Sequence, residues 1–229
     1  MTIVAGLTSG ALWTIAYILL AYRSFKDKSY AIPMAALALN ITWECTFSFI
    51  YPPESLPPIF VARNVIWFAL DVALLVALCK NGPKYFAEEY GMKRGAFYGA
   101  LVIAIALSEL IMLAGGPFFA PGDYFQNDIF ESAKFIAMLQ NAVMSILFVR
   151  MFYARKRNGH PIEGQSFYAA LARLFGTSLT VGILHIALHP DNWYFIAIIT
   201  ATCFIFDLWY TVLIYREIKA QGINPFKRA

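Results

Sequence analysis

PMAALALNITWECTFSFIY, residues 33–51, is apolar over almost its whole length and carries one charge, Glu44, near the middle. A helix crosses a bilayer with ~20 such residues. Reading outward from this stretch, the same pattern recurs at 4–22, 59–79, 95–115, 129–149, 166–188 and 192–215. The polar or Pro/Gly-rich breaks between these runs are too short for a soluble domain. Residues 1–229 therefore read as a single membrane domain: an all-α, polytopic bundle of seven transmembrane helices. The first apolar run begins at Ile3 with no Lys or Arg before Arg23, the pattern of a span rather than of a secretory leader.

Composition agrees. Of the 229 residues, 60% are hydrophobic and 14% charged, with a mean hydropathy of +0.60. A soluble domain carries about 25% charge, so an ordinary cytosolic protein, a disordered chain and a nucleic-acid-binding module are excluded. The net charge of +4 has a topological origin. Fifteen of the 18 basic residues fall in alternate connections: Arg23, Lys26, Lys28; Lys80, Lys84, Lys93, Arg94; Arg150, Arg155, Lys156, Arg157; and Arg216, Lys219, Lys227, Arg228. The positive-inside rule then puts the N-terminus outside and the C-terminus in the cytoplasm. The expected location is the cytoplasmic membrane of a bacterium or the endoplasmic reticulum of a eukaryote. Tyr22, Tyr51, Trp193, Tyr194 and Tyr215 read as interfacial anchors. Gly6–Gly10 and Gly91–Gly95–Gly99 have the spacing of close helix packing. Cys45, Cys79 and Cys203 read as small buried hydrophobes. The Pro-rich segment 52–58 reads as a rigid connector, and His160 and His189 as solvated loop residues.

Charges inside spans are costly and usually functional. Four carboxylates qualify: Glu44, Asp71, Glu109 and Asp207. At ~1.5 Å per residue, Glu44 lies ~16 Å from the cytoplasmic end of its span, Asp71 and Asp207 ~12 Å, and Glu109 ~21 Å. The first three are thus expected at similar depth. Each has company on its own face: Asn40, Glu44 and Phe47 with Trp43 alongside; Asn64, Trp67 and Asp71; Cys203, Asp207 and Tyr210. The fifth span adds Gln140 and Asn141, the sixth Ser178 and His185. Aromatic lining with few polar groups suits a greasy ligand. A carboxyl in such a setting can keep its proton and act as a general acid, while aromatic faces stabilise cations. A structural alternative is that the acids only pair with Arg63, Lys134 or Arg173, the basic residues within spans.

The stretch Asn40-Ile41-Thr42-Trp43-Glu44 resembles the Asn-x-x-Trp-Glu segment of the integral-membrane terpene cyclases of fungal meroterpenoid and indole-diterpenoid pathways and their bacterial relatives acting on prenylated indole alkaloids. Trp67-Phe68-Ala69-Leu70-Asp71 and Phe206-Asp207-Leu208-Trp209-Tyr210 are similar to further segments of that family. The resemblance implies a protonation-initiated (class II type) cyclisation of the prenyl chain of a meroterpenoid or prenylated indole. It maps the two required acids to Glu44 and Asp207; Asn40, Trp43, Trp67, Asp71 and Tyr210 are the expected substrate-binding residues. The Asp-x-Asp-Asp and Asp-Asp-x-x-Asp motifs of soluble terpene cyclases are absent from the sequence, so neither a metal nor another cofactor is expected. The expected partners are a prenylated small molecule, the lipid bilayer and a prenyltransferase of the same pathway. Alkene and epoxide both stay open as the trigger.

Rival readings come from other classes. A retinal photoreceptor needs a Schiff-base Lys in the last span, and 192–215 has none. A small-solute transporter would also carry midplane acids, but usually with repeats and broken helices. A sterol-isomerase-like enzyme shares acids in a greasy pocket and shifts one double bond.

Overall fold

A computed structural model describes residues 2–53, 57–188, 191 and 193–228; His189 and residues 54–56 of the Pro-rich connector lie outside them. Among the described residues the secondary structure is helical throughout, without strands. The helices are α1 Thr2–Lys26, α2 Met34–Cys45, α3 Pro58–Tyr90, α4 Arg94–Phe119, α5 Ile129–Arg157, α6 Phe167–Gly176, α7 Ile183–Leu188 and α8 Trp193–Ala220. Wide π-type turns, Thr46–Ile50 and Thr177–Gly182, extend α2 and join α6 to α7. Among the described residues six helices, with Phe167–Leu188 counted as one, are long and apolar enough to cross a membrane, and Met34–Ile50 is a shorter apolar helix.

Five helices overrun the predicted spans by a turn or more. The largest difference is α3, which continues through the expected break after residue 79 to Tyr90, with Pro83 inside it. That extension is half-buried rather than looped out, because Tyr85 packs edge-on against Tyr30 and Phe86 against Phe97. It stops at Gly91, whose φ of 62° is the left-handed conformation of a helix C-cap. The predicted Gly91–Gly95–Gly99 packing stripe is therefore corrected: Gly91 caps α3, and a Cβ at Gly95 or Gly99 would meet nothing within 4 Å. The neighbouring α4 surface exposes Val102, Ile103, Leu107 and Leu110, a lipid-type face. Gly6 and Gly10 do serve packing; a Cβ there would meet the side chains of Phe60 and Arg63 on α3. Of the cysteines only Cys203 is buried, while Cys45 and Cys79 are half-buried.

α2 packs against α3, α4 and α5, while α1 packs on α3 and α6, and α8 on α5 and α6. This central position explains why Asn40, Trp43 and Glu44 are all buried. The larger core cluster (Leu37, Leu74, Leu78, Phe97, Phe148, Phe152, Tyr210, Ile214) fills the half nearer the basic connections. At that end the connections are tied together. Arg155 donates to the carbonyls of Tyr30 and Glu163. Asp27 accepts from Arg23, Arg228 and the Gly164 amide. Glu163 accepts from Tyr85 and lies 2.9 Å from His160 Nδ1, so His160 is paired rather than merely solvated. Burial pushes the Tyr30 phenol up. Burial also raises Glu163, but the hydrogen bonds from Tyr85 and His160 outweigh it, and its carboxyl lies below the usual range.

Candidate active site

A cavity of about 440 Å³ occupies the other half of the bundle, within the size range of small-molecule sites. Its deep end is Tyr17, Asn40 and Gln140; its shallow end includes Ile3, Pro57 and Leu188. From Ile3 to Tyr17 along α1 is ~21 Å. Between these ends the wall is Trp13, Trp43, Glu44, Trp67, Phe60, Phe130 and Met138, with Arg63, Lys134 and His185 as further polar groups. One π-type turn borders it, with Thr177 and Val181 in the wall, and the other begins two residues after the lining residue Glu44. Such turns often mark functional places in helices.

Of the residues singled out in the sequence, Asn40, Trp43, Glu44 and Trp67 line this cavity, whereas Asp71, Asp207 and Tyr210 are not among its lining residues. Trp43 is fixed by Nε1 donating to the Ala133 carbonyl at 2.9 Å, and Trp67 by Nε1 donating to Thr14 Oγ1 at 2.8 Å. The rings of Trp13, Tyr17 and Trp67 follow one another at centroid distances of 5.8 and 6.0 Å.

The three midplane acids have different surroundings. Glu44 is 2% exposed, leaves Oε2 without a hydrogen-bond partner among the described residues, and feels Arg63 of the same cavity through space without an ion-pair contact. Asp71 does not meet Arg63. It accepts from Asn40 Nδ2 at 2.8 Å, and the same Nδ2 donates to the Tyr17 hydroxyl. Asp71 therefore sits level with Asn40, about one helical turn nearer the basic connections than Glu44. Asp207 takes the Arg173 Nη2 at 2.8 Å in an ion pair that is almost completely buried. The Arg173 guanidinium lies 3.7 Å from the Phe148 ring centroid and 5.8 Å from that of Trp13, a cavity residue. Tyr210 donates to Gln165 and packs on Phe148 at 5.1 Å, one layer toward the basic end. Glu109 accepts from Thr46 Oγ1 at 3.0 Å, and Lys134 pairs with Glu131.

Sequence reasoning missed Trp13, Tyr17 and Phe60 as wall residues. An aromatic at i, i+4 in α1 was the available signal, but in a chain with 17% aromatic residues it does not stand out. Among the described residues no group of three or more His, Cys, Asp or Glu side chains is arranged to hold a metal.

Comparison with known proteins adds the following. The family model of the Pyr4-like transmembrane terpene cyclases matches residues 2–221. The terpene cyclase macJ of Penicillium terrestre is 36% identical over 113 residues, covering 49% of this chain and 42% of macJ. The terpene cyclase andB of Emericella variicolor is 37% identical over 85 residues, covering 36% and 34%. Asnovolin H synthase nvfL of Aspergillus novofumigatus is 39% identical over 100 residues, covering 43% and 39%. The matched stretch thus spans half or less of each of the first relatives. No solved structure matches the chain significantly.

Proposed function

From the premise that this chain belongs to the Pyr4-like transmembrane terpene cyclases, we propose that it is a membrane-bound terpene cyclase whose reaction starts by protonation of a prenyl chain by Glu44. The observation that carries this reading is the contrast between the acids: Glu44 faces the cavity with no ion-pair contact among the described residues, Arg63 acting on it only through space, whereas Asp207 is held by Arg173 behind the wall.

The chemistry follows from the groups present. Glu44 transfers its proton to the distal alkene carbon, or to an epoxide oxygen, and is left as a carboxylate. The tertiary cation is attacked by the next alkene, forming a carbon–carbon bond and a new cation further along the chain. The faces of Trp43, Trp67, Trp13 and Tyr17 stabilise that moving charge, and the apolar wall keeps water from capturing it. Proton loss from the last cation ends the cascade, so product and substrate have the same mass. Asp207 acts as an ionised carboxylate, supplying negative charge through the wall rather than the first proton. Asn40, Asp71 and Tyr17 position the deep end, and Tyr210 buttresses the Arg173–Asp207 layer. The substrate class is a prenylated arene or indole, as in meroterpenoid chemistry, made by a prenyltransferase acting before this enzyme.

The membrane arrangement belongs to the same reading. Residues 1–229 form one domain of seven spans, Met34–Ile50 counting as the second. The meeting of the Lys/Arg-rich segments at one end of the bundle supports a cytoplasmic C-terminus. The cavity then reaches toward the opposite face.

The test is turnover by membranes carrying the protein, supplied with a farnesylated arene with and without a terminal epoxide, and read by mass spectrometry and NMR. A product of unchanged mass with fewer alkenes is expected. A single shifted double bond would instead support an isomerase, and uptake without chemical change a transporter.

A further inference from the structure

Arg63 is a cation that the cyclase reading does not use. It lines the cavity and is half-buried. Its Nε and Nη2 both donate to Asn64 Oδ1, at 3.2 and 2.9 Å, and no carboxylate makes an ion-pair contact with it among the described residues; Glu44, near enough to act on it through space, is the proton donor of the proposed reaction and carries no charge before the first step. Every other in-span basic residue noted in the sequence has an acid: Lys134 has Glu131, and Arg173 has Asp207. The seat of Arg63 is built. Its guanidinium carbon lies 4.4 Å from the Trp67 ring centroid and 5.1 Å from that of Phe60. On α1, Gly10 clears the space beside it, since a Cβ there would stand 2.9 Å from Arg63 Cδ and 3.3 Å from Nη1. Along α3, Arg63 is one turn nearer the shallow end than Trp67, ~6 Å.

A fixed, unpaired guanidinium beside Trp67 would oppose any carbocation formed there, because charges interact strongly where water is excluded. An anion bound to it removes that repulsion. Guanidinium groups meet paired oxygens through two parallel hydrogen bonds, and the Nη1 side of Arg63 carries no hydrogen bond to the described residues. We propose that Arg63 is the head-group anchor: it binds a carboxylate or comparable anionic oxygen pair on the arene of the substrate. The prenyl chain then extends past Trp67 toward Glu44 and the deep end. This rests on the cyclase reading and narrows it to acidic prenylated arenes. The competing role for Arg63 is purely structural, bracing α1 against α3.

Binding and turnover separate the two. The purified protein in detergent would be titrated with a farnesylated hydroxybenzoate and with the matching farnesylphenol that lacks the carboxylate, following Trp fluorescence. The expected result is at least ~10-fold tighter binding of the carboxylate probe. Arg63→Gln should abolish that preference, Arg63→Lys should keep part of it, and Gly10→Ala, which displaces the side chain from its seat, should weaken it with the charge intact. Equal affinity of the parent for both probes, or an undiminished preference in Arg63→Gln, would overturn the anchor. Should Arg63→Gln fail to fold, Arg63→Lys and Gly10→Ala decide: unaltered preference in both overturns it. Ring formation is scored in the same samples. A carboxylate preference without any cyclised product removes the cyclase reading and leaves the anion site. Cyclised product without a preference does the reverse.

Discussion

The two halves of the bundle treat their polar groups in opposite ways. Toward the basic connections, charged groups are tied to partners: Arg155 to the carbonyls of Tyr30 and Glu163, Asp27 to Arg23 and Arg228, Arg173 to Asp207. In the other half, Glu44 and Arg63 face one cavity with no ion-pair partner among the described residues. The large apolar cluster lies in the first half and a smaller one around Trp43, Phe47 and Met112 in the second. A buried polar or charged group without a hydrogen-bonded partner is costly, so an arrangement that leaves Glu44 and Arg63 in one cavity without ion-pair contacts has bought chemistry with stability. Holding the fold and handling the substrate are thereby assigned to different ends.

If that division is right, the largest separation of activity from stability is at Glu44. Glu44→Gln should lower turnover by roughly 10²–10⁴-fold, the usual worth of a general acid, and leave the thermal unfolding midpoint in detergent close to that of the parent. Full turnover in that variant would break the comparison at its centre. Asp207→Ala should do the opposite first. Removing one member of a buried pair strands the other, at a cost of ~3–5 kcal/mol, so a large fall in the midpoint is expected before any question of rate arises. Replacing Arg173 by Met together with Asp207→Asn should recover much of that loss. A double variant no more stable than Asp207→Ala would mean that the layer is held by packing instead. If the recovered double variant also cyclised normally, Asp207 would have no electrostatic part in the reaction.

Trp67→Leu sharpens the picture of the wall. A desolvated cation–π contact is worth ~2 kcal/mol, so kcat should fall ~10–30-fold, with more early-terminated products visible by gas chromatography. The smallest effect belongs to the tied end. The folded carboxyl of Glu163 lies below its ordinary value, so its contribution is complete above the unfolded pKa of ~4.3. It is lost as the pH falls through the lower folded value. Glu163 is partly exposed, so the loss should be under ~1 kcal/mol. A melting series from pH 6 to 3 on the parent and Glu163→Gln would show the two curves converging at the acid end; parallel curves would deny Glu163 a place in the network.

Much of this was legible before any coordinates. The helical runs and the alternation of basic connections were readable because hydropathy and charge are local properties. The Asn40–Trp43–Glu44 face was readable because residues three and four apart share a side of a helix. The overruns of α3 and α5 were not, since a helix leaving the apolar layer keeps its hydrogen bonds although its sequence turns polar. Gly95 and Gly99 misled because spacing says nothing about whether a partner stands opposite.

By itself, then, the sequence determined that the chain is helical and membrane-embedded, where its costly charges lie along each helix, and which short segments carry the family resemblance. Only the tertiary structure decided which of those charges are satisfied. Asp71 meets Asn40 across 31 positions and Asp207 meets Arg173 across 34, while Glu44 and Arg63 line one cavity and act on each other through space with no ion-pair contact to either among the described residues. Partners of this kind come from other helices, and their choice depends on how α1, α2 and α3 rotate to bury their apolar faces, a global minimum that no single helix encodes.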